Sequence, residues 1–317
     1  MQHSSAMRSS AVARERTRDV VLIPCWRRPE FLWHCLENLT QAEGIEQLQV
    51  IFRPDHGHDP AILEVISEFA ARLRDSEIDV PPRCPYRRTK QSSNVLTGYL
   101  LAAARARAYV FMIEEDIIVA QDFFRWHYAV QADEPQLFCS LSTRNTNRAV
   151  PVSDDPRLYY RTTLDYCSLG VCFERSVITQ LIAPHVRREY FQDPAHYCAR
   201  HFPSSQIGAG YVEQDGLIRR VQEAQGERRP IAYPYRPRAY HAGFIGYHRA
   251  GRLEGSLRER IRQVGGIIYN PESMRHAIAK PEHIADSIPV PLETPPWQTL
   301  RYRALAPSTD TSAELRA

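Results

Sequence analysis

The chain has 317 residues, of which 43% are apolar and 24% charged, an ordinary globular composition sufficient for one large core or a core plus an extension. A net charge of +3 and a pI near 8.5 lack the strong basic bias of a dedicated nucleic-acid binder. Seven cysteines, an odd number with no C-x-x-C pair, argue against a disulfide framework or a zinc site and read as reduced, mostly buried thiols. No apolar run approaches the roughly 20 residues of a membrane helix, and residues 1–18 lack the apolar core of a secretory signal. The expectation is a cytoplasmic protein without a membrane span.

Residues 1–18 read as a disordered leader. Order is expected to begin with the apolar run Asp19-Val20-Val21-Leu22-Ile23-Pro24, suited to a buried parallel strand. Pro29 opens a helical pattern carried by Phe31, Leu32, Cys35, Leu36 and Leu39. A strand at residues 48–52 leads into the loop Arg53-Pro54-Asp55-His56-Gly57-His58-Asp59, and a helix is expected over residues 61–73. A third helix, residues 93–107, feeds the strand Ala108-Tyr109-Val110-Phe111-Met112-Ile113. That strand stops at Glu114-Glu115-Asp116. Asp122 is placed to cap a helix through residue 132, and a further strand follows at 137–142. Strand–helix alternation at these lengths indicates an α/β fold with a mostly parallel sheet. Residues 145–210 are less regular, a helix is expected over 213–223, and the last ~35 residues are Pro-rich and read as a surface-wrapping or disordered tail.

Three acids directly after an apolar strand are the strongest chemical feature. Ligands of open α/β sheets bind at the carboxyl ends of strands, and three carboxylates there repel one another unless a cation sits among them. Hard oxygen ligands select Mg²⁺ or Mn²⁺. The plain alternative is a solvated acidic loop before the next helix. A second acidic element is Glu213-Gln214-Asp215 at a helix start, where acids also simply complement the helix dipole. A third is Tyr240-His241-Ala242-Gly243-Phe244-Ile245-Gly246-Tyr247-His248-Arg249, whose two glycines suit a mobile loop and whose His and Arg side chains suit a phosphate or a metal.

The order of these elements resembles GT-A glycosyltransferases, broadly the family-two-like inverting enzymes and most closely the N-acetylglucosaminyltransferase I type. The matching stretches are Pro24-Cys25-Trp26-Arg27-Arg28-Pro29, Pro54-Asp55-His56-Gly57-His58, Glu114-Glu115-Asp116-Ile117-Ile118-Val119-Ala120-Gln121-Asp122-Phe123-Phe124, Tyr159-Tyr160-Arg161-Thr162 and Leu169-Gly170. The resemblance spans roughly residues 19–248; Glu115 departs from the Asp usual at its position, and the tail has no counterpart. It implies a single Rossmann-like domain over residues 19–250, with a nucleotide-binding half (19–122) and an acceptor half (123–250), then a C-terminal helix and Pro-rich tail (251–317). It also implies a nucleotide-sugar donor, UDP-sugar favoured, and an inverting, Mn²⁺- or Mg²⁺-dependent transfer to an acceptor hydroxyl. Under that resemblance Arg27 or Arg28, together with Asp55, contacts the base and ribose, and Glu114 and Glu115 line the donor site. Asp116 binds the metal with His241, and His248 and Arg249 contact phosphate. Asp215, or failing it Glu213, is the general base.

Residue-level alternatives stay open here: Asp55 as a turn residue, Arg27 and Arg28 as surface ion pairs, and His56 and His58 as solvated loop residues. The acceptor is a glycan, a small molecule or modified DNA. Arg-rich segments at Arg187, Arg188, Arg228, Arg229, Arg236 and Arg238 and over residues 252–262 raise the DNA alternative, a transferase acting on hydroxymethylated bases, against which the weak net charge argues. A nucleotidyltransferase is a second alternative, although no Gly-rich phosphate loop follows the first strand. A non-catalytic binding protein of the same fold is a third.

Overall fold

A computed structural model of the chain describes residues 17–86, 90–143, 159–163, 166–235 and 237–241. The expected leader, the tail, His248 and Arg249 lie outside them.

In chain order the elements are β1 (Val20–Cys25), α1 (Pro29–Leu39), β2 (Gln49–Pro54), α2 (Pro60–Ala70), β3 (Ser76–Ile78), α3 (Lys90–Arg105), β4 (Tyr109–Met112), β5 (Ile117–Val119), α4 (Phe123–Asp133), β6 (Cys139–Leu141), β7 (Tyr159–Thr162), β8 (Val171–Glu174), α5 (Arg175–Val177), α6 (Arg188–Gln192), α7 (Pro194–His201), α8 (Gln214–Gln225), β9 (Ile231–Pro234) and β10 (Ala239–His241). One eight-stranded sheet, ordered β3-β2-β1-β4-β8-β6-β9-β7, runs through both halves of the chain, and β5 pairs with β10 in a separate ribbon. Pairing is parallel from β3 to β4 and between β6 and β9; β7 and β8 run against the rest. This is the α/β class that the alternation indicates.

The sheet is buried on both faces, which is why β1 and β4 are nearly continuous apolar runs. The two-residue period sends Val20, Leu22, Val110 and Met112 into a core shared with α3 and α8. It sends Val21, Ile23, Phe111 and Ile113 into a second core under α1, α2 and α4. Asp19 closes the bottom of this arrangement by accepting from the amides of Ala108 and Tyr109 and from the Tyr128 hydroxyl.

Two local expectations change. Asp122 stands at the start of α4 but makes no side-chain capping bond, because its Oδ2 is taken by the Nε of buried Arg238 at 3.3 Å. Residues 117–119, where the sequence indicates no strand, form β5 because the returning β10 gives them a partner. The same burial removes Arg238 from the residues available to track phosphates of DNA.

Gly170, just before β8, is held at φ +69°, and a Cβ there would lie 2.2 Å from Ser142 Oγ. Gly170→Ala is expected to destabilise the protein by about 2–4 kcal/mol, the left-handed backbone and the overpacking adding together. Urea titration of the single variant and of Gly170→Ala/Ser142→Ala checks this; the double variant should recover the steric part only.

Candidate active site

Strand direction gathers the chemistry at one end of the sheet. β1, β2 and β4 run parallel, so Trp26–Arg28, Asp55–Gly57 and Glu114–Asp116 all emerge at their carboxyl ends. β8 is antiparallel to β4, with Val171 opposite Met112, so the residues preceding β8 arrive at that end as well. β10 pairs His241 with Ile117, next in sequence to Asp116.

The centre is a buried ion cluster. Arg28 precedes Pro29, the first residue of α1, which anchors its backbone at the helix start. Its Nε donates to Glu115 Oε1 at 2.6 Å and its Nη1 to Asp116 Oδ2 at 2.7 Å. Glu115 Oε2 accepts from the Trp26 amide at 2.6 Å. His241 Nε2 lies 3.3 Å from Asp116 Oδ2. Glu115 and Asp116 are 5% and 3% exposed, so water does little to screen them. Burial works against the Asp116 carboxylate, but the charges of Arg28 and His241 outweigh it and hold the group below the ordinary carboxylate range. Burial likewise disfavours the Arg28 charge, and Asp116 and Glu115 more than offset this, raising its pKa. Burial leaves Glu115 raised in spite of Arg28. Arg28, expected at the nucleotide base, is thus already engaged with the acids.

A single hydroxyl joins this cluster to α8. Ser168 Oγ lies 3.2 Å from Glu114 Oε1 and 3.4 Å from Asp215 Oδ2. The Gly170 turn fixes it, with the Gly170 amide donating to the Ser168 carbonyl at 3.0 Å. Asp215 enters through the first turn of α8, which is locked to α3 by Ser92: its Oγ bonds both the amide and the side chain of Gln214. Burial, followed by the charges of Asp116 and Asp215, pushes Glu114 up. Burial raises Asp215 to about 6. Glu213, the alternative base, is exposed and precedes the helix.

Asp55 sits at the end of β2, its amide donating to the Cys25 carbonyl at 2.8 Å and its Oδ1 accepting from the His56 amide at 2.7 Å. Burial raises its pKa. Arg27 crosses between the two loops: its Nε donates to the Gly57 carbonyl at 2.9 Å and its guanidinium lies over Trp26. Below them Arg53 is buried, donating to the Asn94 carbonyl and Thr97 Oγ1 and paired with Asp79. His58 Nδ1 contacts the Asp55 carbonyl, closing the turn.

Sequence reasoning missed Ser168, Ser92 and Arg53. Ser168 immediately precedes the Leu169-Gly170 pair, but a lone serine there carries no pattern. The apolar run ends at Phe52, which places Arg53 in the following loop by sequence alone, whereas β2 continues through Arg53 and Pro54.

Two carboxylate oxygens, Asp116 Oδ1 and Asp215 Oδ1, are buried with no hydrogen-bond partner among the described residues. A buried carboxylate oxygen without a donor suits a cation. Among the described residues no three His, Cys, Asp or Glu side chains form a ready metal cage. Divalent ions that also hold substrate phosphates take one or two protein carboxylates.

No family model and no curated protein matches the sequence. Among solved structures, S. aureus TarS aligns at 12% identity and TM-score 0.43 over 85% of this chain and 50% of that one; this chain therefore spans half the length of the full TarS. TarS 1-349 in complex with UDP aligns at 13% identity and TM-score 0.45, covering 90% of this chain and 88% of that one. The mannosyltransferase PcManGT from Pyrobaculum calidifontis, in complex with GDP-Man and Mn2+, aligns at 12% identity and TM-score 0.40 over 84% and 74%. Among the described residues no helix is long and apolar enough to cross a membrane.

Removing Arg28 strands two buried carboxylates. Arg28→Met should cost about 3–5 kcal/mol of stability at pH 7, measured by denaturant titration, and Glu115→Gln in the same chain should return part of it.

Proposed function

We propose that this chain is a glycosyltransferase of GT-A type that moves a sugar from a nucleotide-sugar donor to an acceptor hydroxyl with inversion. The observation that carries the reading is the Ser168 bridge. It links the acids after β4, where a cation and diphosphate would sit, to the carboxylate of α8, where an acceptor proton would go. The sequence resemblance favours a UDP-sugar.

Asp55 and Arg27 stand at the ends of β2 and β1, and their loops present a carboxylate and a guanidinium plane to a base and ribose. Asp116, through its unpartnered Oδ1, and His241 would hold a divalent cation. Such an ion, when bound, supplies Lewis-acid stabilisation of the charge that gathers on the leaving diphosphate. Arg28 keeps Asp116 ionised and oriented. Ser168 holds Asp215 Oδ2, which leaves Oδ1 to accept the proton of the attacking hydroxyl. A base with a pKa near 6 is mostly ionised at neutral pH yet strong enough to take a proton in the transition state.

Thermal unfolding is to be followed with UDP, GDP and their sugar conjugates, each with and without Mn²⁺. Stabilisation should require nucleotide and ion together, and Asp116→Ala should lose it. No stabilisation by any pair, or an undiminished one in Asp116→Ala, overturns the reading of the donor site.

Turnover should follow the ionised fraction of Asp215. As pH falls through about 6 the carboxylate is protonated and kcat falls; above it kcat levels off. Asp215→Asn should lower kcat by about 10²–10⁴-fold and abolish the acid limb, as read from nucleoside-diphosphate release between pH 5 and 8. Near-parental turnover in that variant would move the base to Glu213 or elsewhere.

A further inference from the structure

Arg220 is a buried guanidinium, 3% exposed, whose hydrogen bonds go to backbone carbonyls. Its Nη1 donates to Tyr211 and Gly216 at 2.5 and 3.0 Å, and its Nη2 to Ile207 and Gly208 at 3.1 and 2.9 Å. Burying a cation is costly unless its donors are satisfied, and here the satisfied donors fix one loop, residues 207–211, onto the first turn of α8. The Tyr211 amide closes that loop on the Gly208 carbonyl at 2.9 Å. Gly216 permits the approach: a Cβ there would meet the Tyr211 carbonyl oxygen at 2.0 Å and the ring carbon Cδ1 at 3.1 Å.

The clamped loop delivers an exposed aromatic ring beside the residue after Asp215. Tyr211 is 37% exposed; the other large apolar side chains exposed among the described residues are Ile78 and Val80, at the far edge of the sheet. The Arg219 guanidinium lies over the Tyr211 ring at 5.0 Å and is itself held by the Tyr166 carbonyl at 2.6 Å. Backbone, ring and neighbouring cation are therefore all fixed, and the Arg219 charge that lies over the ring also acts on Asp215, the carboxylate that would take the acceptor proton.

We propose that Tyr211 is the acceptor platform, a ring on which the C–H face of a cyclic sugar stacks so that one of its hydroxyls reaches Asp215. This rests on the glycosyltransferase reading and adds the acceptor class: a pyranose-type carbohydrate. A saturated sugar ring offers one face of polarised C–H groups to the negative face of an aromatic ring, and its hydroxyls project from its edge. An acyclic polyol has the same hydroxyls but no such face. Stacking a rigid ring on a rigid ring also fixes the approach of the nucleophile.

The test compares methyl glycosides with sorbitol as acceptors, using whichever nucleotide sugar the parent turns over, and reads kcat/KM for each from acceptor-stimulated nucleotide release and product mass. The ratio of the two acceptors cancels any loss of folded enzyme. In the parent, methyl glycosides should exceed sorbitol. Tyr211→Ala should lower that ratio about tenfold, and Tyr211→Phe, which keeps the ring, should preserve it. An unchanged ratio in Tyr211→Ala, or sorbitol matching the glycosides in the parent, overturns the platform while leaving the transferase reading standing. A parent that releases no nucleoside diphosphate from any donor overturns both.

Discussion

The arrangement at the top of the sheet depends on how one guanidinium divides itself between two adjacent carboxylates. Glu115 and Asp116 are both nearly inaccessible to water, and Arg28 bonds one through Nε and the other through Nη1. The planar fork of Arg presents Nε and Nη1 in a fixed geometry, one to each acid. The pairing also joins β1 to β4 at their carboxyl ends and anchors the start of α1. Asp116 Oδ2 meets both Arg28 and His241, whereas its Oδ1 has no donor among the described residues.

The second half of the site is built by close approach instead of charge. Gly170 lets the chain turn tightly under Ser142, which sets Ser168 between Glu114 and Asp215. Gly216 lets the 207–211 loop lie on the first turn of α8, where Arg220 ties three carbonyls of the loop to that of Gly216. Each position tolerates no Cβ because backbone or a short side chain occupies the space, so neither neighbour yields cheaply. In the proposed transferase the donor side is thus rigid through ion pairing and the acceptor side through packing. The Ser168 hydroxyl touches acids of both.

The contrast between Glu114 and Asp116 follows from the same layout. The two are two residues apart, yet burial and neighbouring carboxylates raise the first, while Arg28 and His241 lower the second. One strand end therefore carries a group that favours its proton beside one that favours its charge, a separation that side-chain identity alone does not supply.

Much of the framework was legible in the amino-acid order. The apolar runs of β1 and β4, Pro29 at a helix start, the helical spacing of α2 and the abrupt acids after β4 are local signals, and the shortness of those runs suits strands buried on two faces. That acids follow β4, and that they reach the carboxyl end of a parallel sheet, needed only the alternation of elements. What tertiary structure decided was partnership. Arg28 pairs with residues 87 and 88 positions away, Ser168 bridges acids separated by 101 in sequence, and β5 exists only because β10 returns to it. Asp122, which reads as a helix cap, bonds Arg238 instead. No local pattern encodes such contacts, because an antiparallel strand inserted in a parallel sheet and a helix start clamped by a distant serine are set by how the layers pack, and packing energy is shared across the whole chain.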